Sequence, residues 1–237
     1  MLDRQLARQA TAEALGTALL VAIVIGSGIY AQRLSPNDAG LQLLENSIAT
    51  GAGLVAIIVA FGAVSGAHFN PVVTLADRLL GGLGTGAAVV YVVAQIVGGC
   101  IGACVANLMF GLDAVNISHH ARTGGGLWLG EFVATLGLLL VIFGAVRSGR
   151  SSAAPFAVGG YIAAAYWFTS STSFANPAVT IARTLSNTFA GISPASAPGF
   201  IVFQILGALA AVVLAKFLYP DVPATEVVVP HEHAGPA

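Results

Sequence analysis

The sequence predicts an all-α membrane protein of six transmembrane helices and two re-entrant half-helices, arranged as an inverted repeat. Three observations predict it. Hydrophobic residues make up 57% of the 237-residue chain and charged residues only 8%, against about 25% charged in an ordinary soluble domain. Six apolar stretches approach or exceed the length of about 20 residues that a helix needs to cross the hydrocarbon core. One short motif occurs twice, each time between two such stretches.

The stretches run roughly from Ala7 to Ala31, Glu45 to Val64, Gly84 to Phe110, Leu127 to Val146, Ala153 to Ser170, and Gly199 to Tyr219. The first carries Glu13 near its start and is too long for a signal peptide, so it reads as a retained span. Polar connections hold Arg33, Pro36, Asn37 and Asp38, then Asp113, Asn116, His119, His120 and Arg122, then Arg147, Arg150 and Ser151. A single membrane-embedded body over 1–219 is expected, with one repeat near 8–110, a second near 125–219, and a mobile tail over 220–237. The 29 glycines suit helices that pack backbone to backbone in lipid. Cys100 and Cys104 lie one turn apart inside an apolar span and read as small core residues. Two thiols are too few for a metal site, and no cofactor is called for. A net charge of −1 gives no basis for binding nucleic acid.

Arginine and lysine placement sets the orientation. With the N-terminus inside, the inner side receives Arg4, Arg8, Arg78, Arg147, Arg150 and Lys216, and the outer side Arg33, Arg122 and Arg183. Both termini are therefore expected in the cytoplasm, with the protein in the cell's inner membrane.

The repeated motif is Asn-Pro-x-Val-Thr-x-Ala. The first copy follows Ser65-Gly66-Ala67-His68-Phe69 as Asn70-Pro71-Val72-Val73-Thr74-Leu75-Ala76. The second follows Ser173-Phe174-Ala175 as Asn176-Pro177-Ala178-Val179-Thr180-Ile181-Ala182. A second pair of matching segments places Glu13 and Glu131 early in the first and fourth spans. Each half thus contains three crossings, an acid and an Asn-Pro segment. Because three is odd, the second half must be inverted relative to the first.

Each Asn-Pro segment is too short to span and too apolar for a solvent loop, which a re-entrant half-helix reconciles. Asn is a favoured N-cap and Pro a favoured first helical residue. With its oxygen capping the first turn, the Asn NH₂ is left to face a lumen. The N-terminus of a half-helix also carries about half a positive charge. Two such tips meeting at the midplane donate hydrogen bonds to a neutral oxygen and repel cations.

At these residues the chain resembles the aquaporin and aquaglyceroporin family, with Val72 in place of the usual Ala of the first signature. The resemblance covers about residues 8 to 219. It implies a pore in each subunit of a homotetramer, passing small neutral solutes across the bilayer. It implies further that Glu13 and Glu131 brace the re-entrant loops, as His68 does the first. By offset from the two asparagines, the family's outer filter falls on Thr50, Ala164, Ser173 and Val179. Most members hold Arg at the last of these; Val179 and the small Ala164 depart from that and imply a wider neck. Such a filter resembles bacterial aquaglyceroporins associated with arsenic resistance, so water, glycerol-like polyols and undissociated arsenite or methylated arsenicals are the expected solutes. Arg183, one turn beyond Val179 on the same helical face, is a vestibule candidate. An ion-coupled secondary transporter shares the inverted-repeat logic and would need acids near the midplane. Scattered acids, with neither a nucleophile elbow nor a phosphate loop, argue against an enzyme.

Overall fold

A computed structural model describes residues 3–220. They form eight α-helices: α1 (Arg4–Leu34), α2 (Ala39–Ser65), α3 (Pro71–Leu80), α4 (Thr85–Met109), α5 (Gly125–Arg147), α6 (Ala154–Phe168), α7 (Pro177–Ala182) and α8 (Ala197–Leu218). Single 3₁₀ turns cover Ser151–Ala153 and Arg183–Leu185. The expected tail over 220–237, with its His231 and His233, lies outside the described residues apart from Pro220.

Local chemistry explains the boundaries. Asp38 accepts the Leu41 N–H at 2.9 Å and caps α2. Gly66, at φ 82°, takes the left-handed conformation that ends it, which glycine adopts without a Cβ clash. Asn70 and Asn176 cap α3 and α7, each followed by Pro at the first helical position. Five helices (α1, α2, α4, α5 and α8) are long and apolar enough to cross a membrane. The fifth expected span is shorter than read from the sequence. At 1.5 Å per residue, the 15 residues of α6 cover about 22 Å, less than the ~30 Å hydrocarbon core. The chain leaves the helix at Thr169, whose ψ is 138°, and turns at once: the Thr172 N–H donates to the Thr169 carbonyl at 3.2 Å, and Thr172 and Ser173 take positive φ on the way to Asn176.

α1 packs chiefly on α4 and α2, α5 on α8 and α6, and α2 on α6 across the two halves. The α1–α4 contact is backbone to backbone. A Cβ on Gly98 or Gly102 would run into the carbonyls of Ala14 or Ala18. Each half-helix lies against the last long helix of both halves, α3 on α8 and α4, α7 on α4 and α8. The halves are therefore interlocked around the two Asn-Pro tips. Large apolar side chains such as Val59, Val93, Phe156, Val213 and Phe217 lie exposed on the outside, as a lipid-facing surface requires. Cys100 and Cys104 are half-buried on α4.

Candidate functional site

The two Asn-Pro loops do not adopt relaxed backbone. Ala67, Phe69, Ser173 and Ala175 have φ of 50°, 49°, 51° and 48°, in the left-handed region that non-glycine residues avoid. Equivalent positions of the two loops are strained in the same way, so something must hold both, and Glu13 and Glu131 do. Glu13 is fully buried. One carboxylate oxygen accepts the His68 N–H at 2.9 Å and the Ser65 hydroxyl at 2.6 Å. The other accepts the Phe69 N–H at 2.7 Å and the Gln95 amide at 2.8 Å. Glu131, also fully buried, accepts the N–H groups of Phe174 and Ala175 at 2.9 Å each and the Gln204 amide at 2.5 Å. Gln95 also reaches Thr74 and Gln204 reaches Thr180, both at 2.9 Å. Buried carboxylates are costly unless paired or hydrogen-bonded, and every oxygen here is engaged. An ion-coupling acid would need a free oxygen facing the solute path, and neither glutamate lines the cavity.

At the centre the tips are tied crosswise. Asn70 Oδ1 accepts the Val72 N–H at 3.1 Å, and Asn176 Oδ1 accepts those of Ala178 and Val179 at 3.0 and 3.2 Å. Each Asn NH₂ then donates to the opposite loop: Asn70 to the Ala175 carbonyl and Asn176 to the Phe69 carbonyl, both at 2.8 Å. The NH₂ groups are therefore not wholly uncommitted, as the cap alone suggested. One N–H of each is used between the loops. An NH₂ has two, so one remains on each side chain, and both asparagines line the cavity.

That cavity is narrow, with a volume of about 80 Å³, well below the ~300–1,000 Å³ of a drug-sized ligand site. Its wall is mostly aliphatic, with Leu20, Val24, Leu54, Leu138, Ile142 and Val158 among the lining residues. Polar groups sit at intervals along it. Near the first loop is His68, whose Nδ1 is 3.0 Å from Thr74 Oγ1 and whose Nε2 is 3.6 Å from Asp77. His68 thus braces α3 and faces the path.

Around the second loop the lining includes Thr50, Tyr166, Ser173, Phe174, Val179 and Arg183. The Thr50 and Tyr166 hydroxyls are 3.1 Å apart. Ser173 Oγ is buried without a hydrogen-bond partner among the described residues. One sequence expectation changes here. Ala164 is exposed on α6 and does not line the cavity. The lining face of α6 runs Ala154, Val158, Ile162, Tyr166, and two residues on a helix turn through about 200°, so Ala164 points away. The offset from Asn176 thus lands between two lining residues, Ile162 and Tyr166. A tyrosine therefore stands where a small residue was expected. Arg183, the vestibule candidate, is 2% exposed and forms part of the cavity wall. Pro71, Val72, Pro177 and Ala178 are buried at the tips but do not line the cavity; they pack the half-helices against their neighbours.

Ser65, Thr74, Gln95, Thr180 and Gln204 were missed from the sequence. The signal was there, in Gln95 and Gln204 alone within apolar spans at matching places in the two halves.

The chain matches the family model described as Major intrinsic protein over residues 2–173. It is 50% identical over 218 residues to aquaglyceroporin AqpS of Rhizobium meliloti (strain 1021), covering 92% of this chain and 93% of that protein. Aquaporin Z of Photorhabdus laumondii subsp. laumondii is 32% identical over 167 residues, covering 64% of this chain and 71% of its own. The fold is similar to the X-ray structure of the aquaglyceroporin from Plasmodium falciparum, with a TM-score of 0.68 at 20% identity, over 91% of this chain and 96% of that one. The chain belongs to the major intrinsic protein family and is a multi-pass membrane protein, a passive channel for small uncharged solutes rather than an enzyme.

Proposed function

We propose that the channel conducts water and glycerol-sized polyols, and that undissociated arsenite and methylated arsenicals follow the same path. The observation that carries this reading is the pair of asparagines on one narrow cavity, each with an N–H left over for a passing oxygen. A solute moving between aliphatic walls and spaced donors exchanges its water for a few fixed hydrogen bonds. Small hydroxyl-bearing molecules can make that exchange; a bare or hydrated cation is opposed by the field of two helix N-termini. Val179 in the wall leaves more room than an arginine would. It lines the same cavity as Thr50 and Ser173, whose hydroxyls support polyol- and arsenite-sized traffic.

The working assembly in this reading is a homotetramer in the inner membrane with both termini cytoplasmic. The arginine and lysine placement supports that orientation. The two repeats, near 8–110 and 125–219, form one channel body.

Reconstituted protein tests the reading through stopped-flow permeability to water, glycerol and arsenite, with Val179→Arg beside the wild type. A second guanidinium at the neck should lower glycerol and arsenite flux by about tenfold, the scale of one lost or obstructed polar contact, while water still passes. Undiminished glycerol and arsenite flux through Val179→Arg would show that Val179 is not at the neck.

A further inference from the structure

Arg183 is the first residue after α7, one turn beyond Val179, and both line the cavity. Its guanidinium is held on two sides. Nε donates to the Ala190 carbonyl, and Cζ stands 3.4 Å from the centroid of the Phe174 ring. Phe174 is itself fixed, since its N–H donates to Glu131 at 2.9 Å. Arg122, from the connection between α4 and α5, lies 5.3 Å from the same ring. It donates to the carbonyls of Gly191 and Phe189 at 2.9 and 3.2 Å. Two arginines thus capture three successive carbonyls, of residues 189, 190 and 191.

The terminal NH₂ groups of Arg183 make no hydrogen bond among the described residues, and no acid pairs with it there. A guanidinium carries five N–H donors and stays charged. Four of these donors and a positive charge with no carboxylate in salt-bridge contact among the described residues therefore stand at the cavity wall. Ser173 Oγ, in the same wall and also without a partner, is both donor and acceptor.

We infer that Arg183 is the specificity-determining residue of the outer pathway: the cation barrier there, and the donor set that lines up neutral hydroxyl-bearing solutes with Ser173. It does from one turn further along the chain what an arginine at position 179 would do. The position leaves position 179 itself to a small apolar side chain, and places the charge where Phe174 and the Ala190 carbonyl hold it. Arg122 acts as a positioning residue, keeping the carbonyl loop in place. This inference rests on the channel reading above.

The test uses full-length protein in proteoliposomes: wild type, Arg183→Met, Arg183→Lys and Arg183→Ala. Met keeps much of the aliphatic stem against Phe174 while removing the charge. Glycerol-driven swelling reports neutral flux, and potassium or proton entry under an imposed gradient reports leak. Arg183→Met and Arg183→Ala should raise cation entry about tenfold or more, the direction expected when a fixed positive barrier is lost, with swelling retained. Arg183→Lys should keep cations out but conduct glycerol more slowly, since an ammonium lacks the planar donor fork. Cation entry at wild-type level in both neutral variants overturns the assignment, as does loss of swelling in both without leak, which would mark Arg183 as structural. A wild type that passes neither water nor glycerol would instead defeat the channel reading itself.

Discussion

The two Asn-Pro loops are alike where the backbone is strained and unlike where a solute passes. Behind each loop stands the same set of groups: a glutamate, a glutamine from the last helix of the same half, a threonine on the half-helix, and left-handed residues at matching positions. On the solute side they diverge. The first loop presents His68, with Asp77 behind it on a ten-residue half-helix. The second presents Phe174 and Arg183, with a half-helix of six residues. Left-handed residues cost of order 1–3 kcal/mol each, so both loops need the same bracing. Selection has no such requirement, and the two mouths differ.

The largest effect should come from the braces. Glu13→Ala strips acceptors from the N–H groups of His68 and Phe69, and Glu131→Ala does the same to Phe174 and Ala175. Each buried N–H left without a partner costs about 1–3 kcal/mol, so each variant should lose about 2–6 kcal/mol. Thermal melting in detergent should show both falling by similar amounts. If one glutamate proved dispensable, the loops would not be held in the same way and the comparison would fail at its base.

This symmetry is also why so much was legible in the sequence. Glu13 and Glu131, Asn70 and Asn176 each appear twice in matching contexts, and a duplicated residue declares that its chemistry matters. The neck around the second loop has no second copy to check against. Tyr166 was missed because Ala164 was placed by a fixed offset from Asn176, and a two-residue error in that offset turns through about 200° to the other side of the helix. The helical spacing placed Arg183 on the face of Val179, but its burial could not be read that way. The ring of Phe174 and the Ala190 carbonyl hold it, and both come from irregular backbone.

A middle-sized effect is expected at the crosswise asparagines. Asn70→Ala and Asn176→Ala each remove a helix cap, worth about 1 kcal/mol, and a bond to the opposite loop. Asn176 caps two N–H groups and Asn70 one, and α7 is the shorter helix. Asn176→Ala should therefore lose more stability than Asn70→Ala, while both cut glycerol flux. Equal melting temperatures for the two variants would show that half-helix length and cap count do not matter here.

The smallest effect should come from Tyr166→Phe, and it sharpens the comparison because the first loop has no equivalent hydroxyl pair. The Tyr166 hydroxyl meets Thr50 Oγ1 at 3.1 Å on the cavity wall. Removing it breaks one neutral hydrogen bond, worth about 0.5–1.5 kcal/mol, and leaves Thr50 able to turn towards a solute. The ring stays, so the width of the neck is unchanged. Stopped-flow glycerol permeability should then shift by about twofold to tenfold, the rate equivalent of that energy, with water permeability nearly constant. A change in water permeability as large as that for glycerol would mean the hydroxyl pair sets the bore of the passage and not the hydrogen bonding along it.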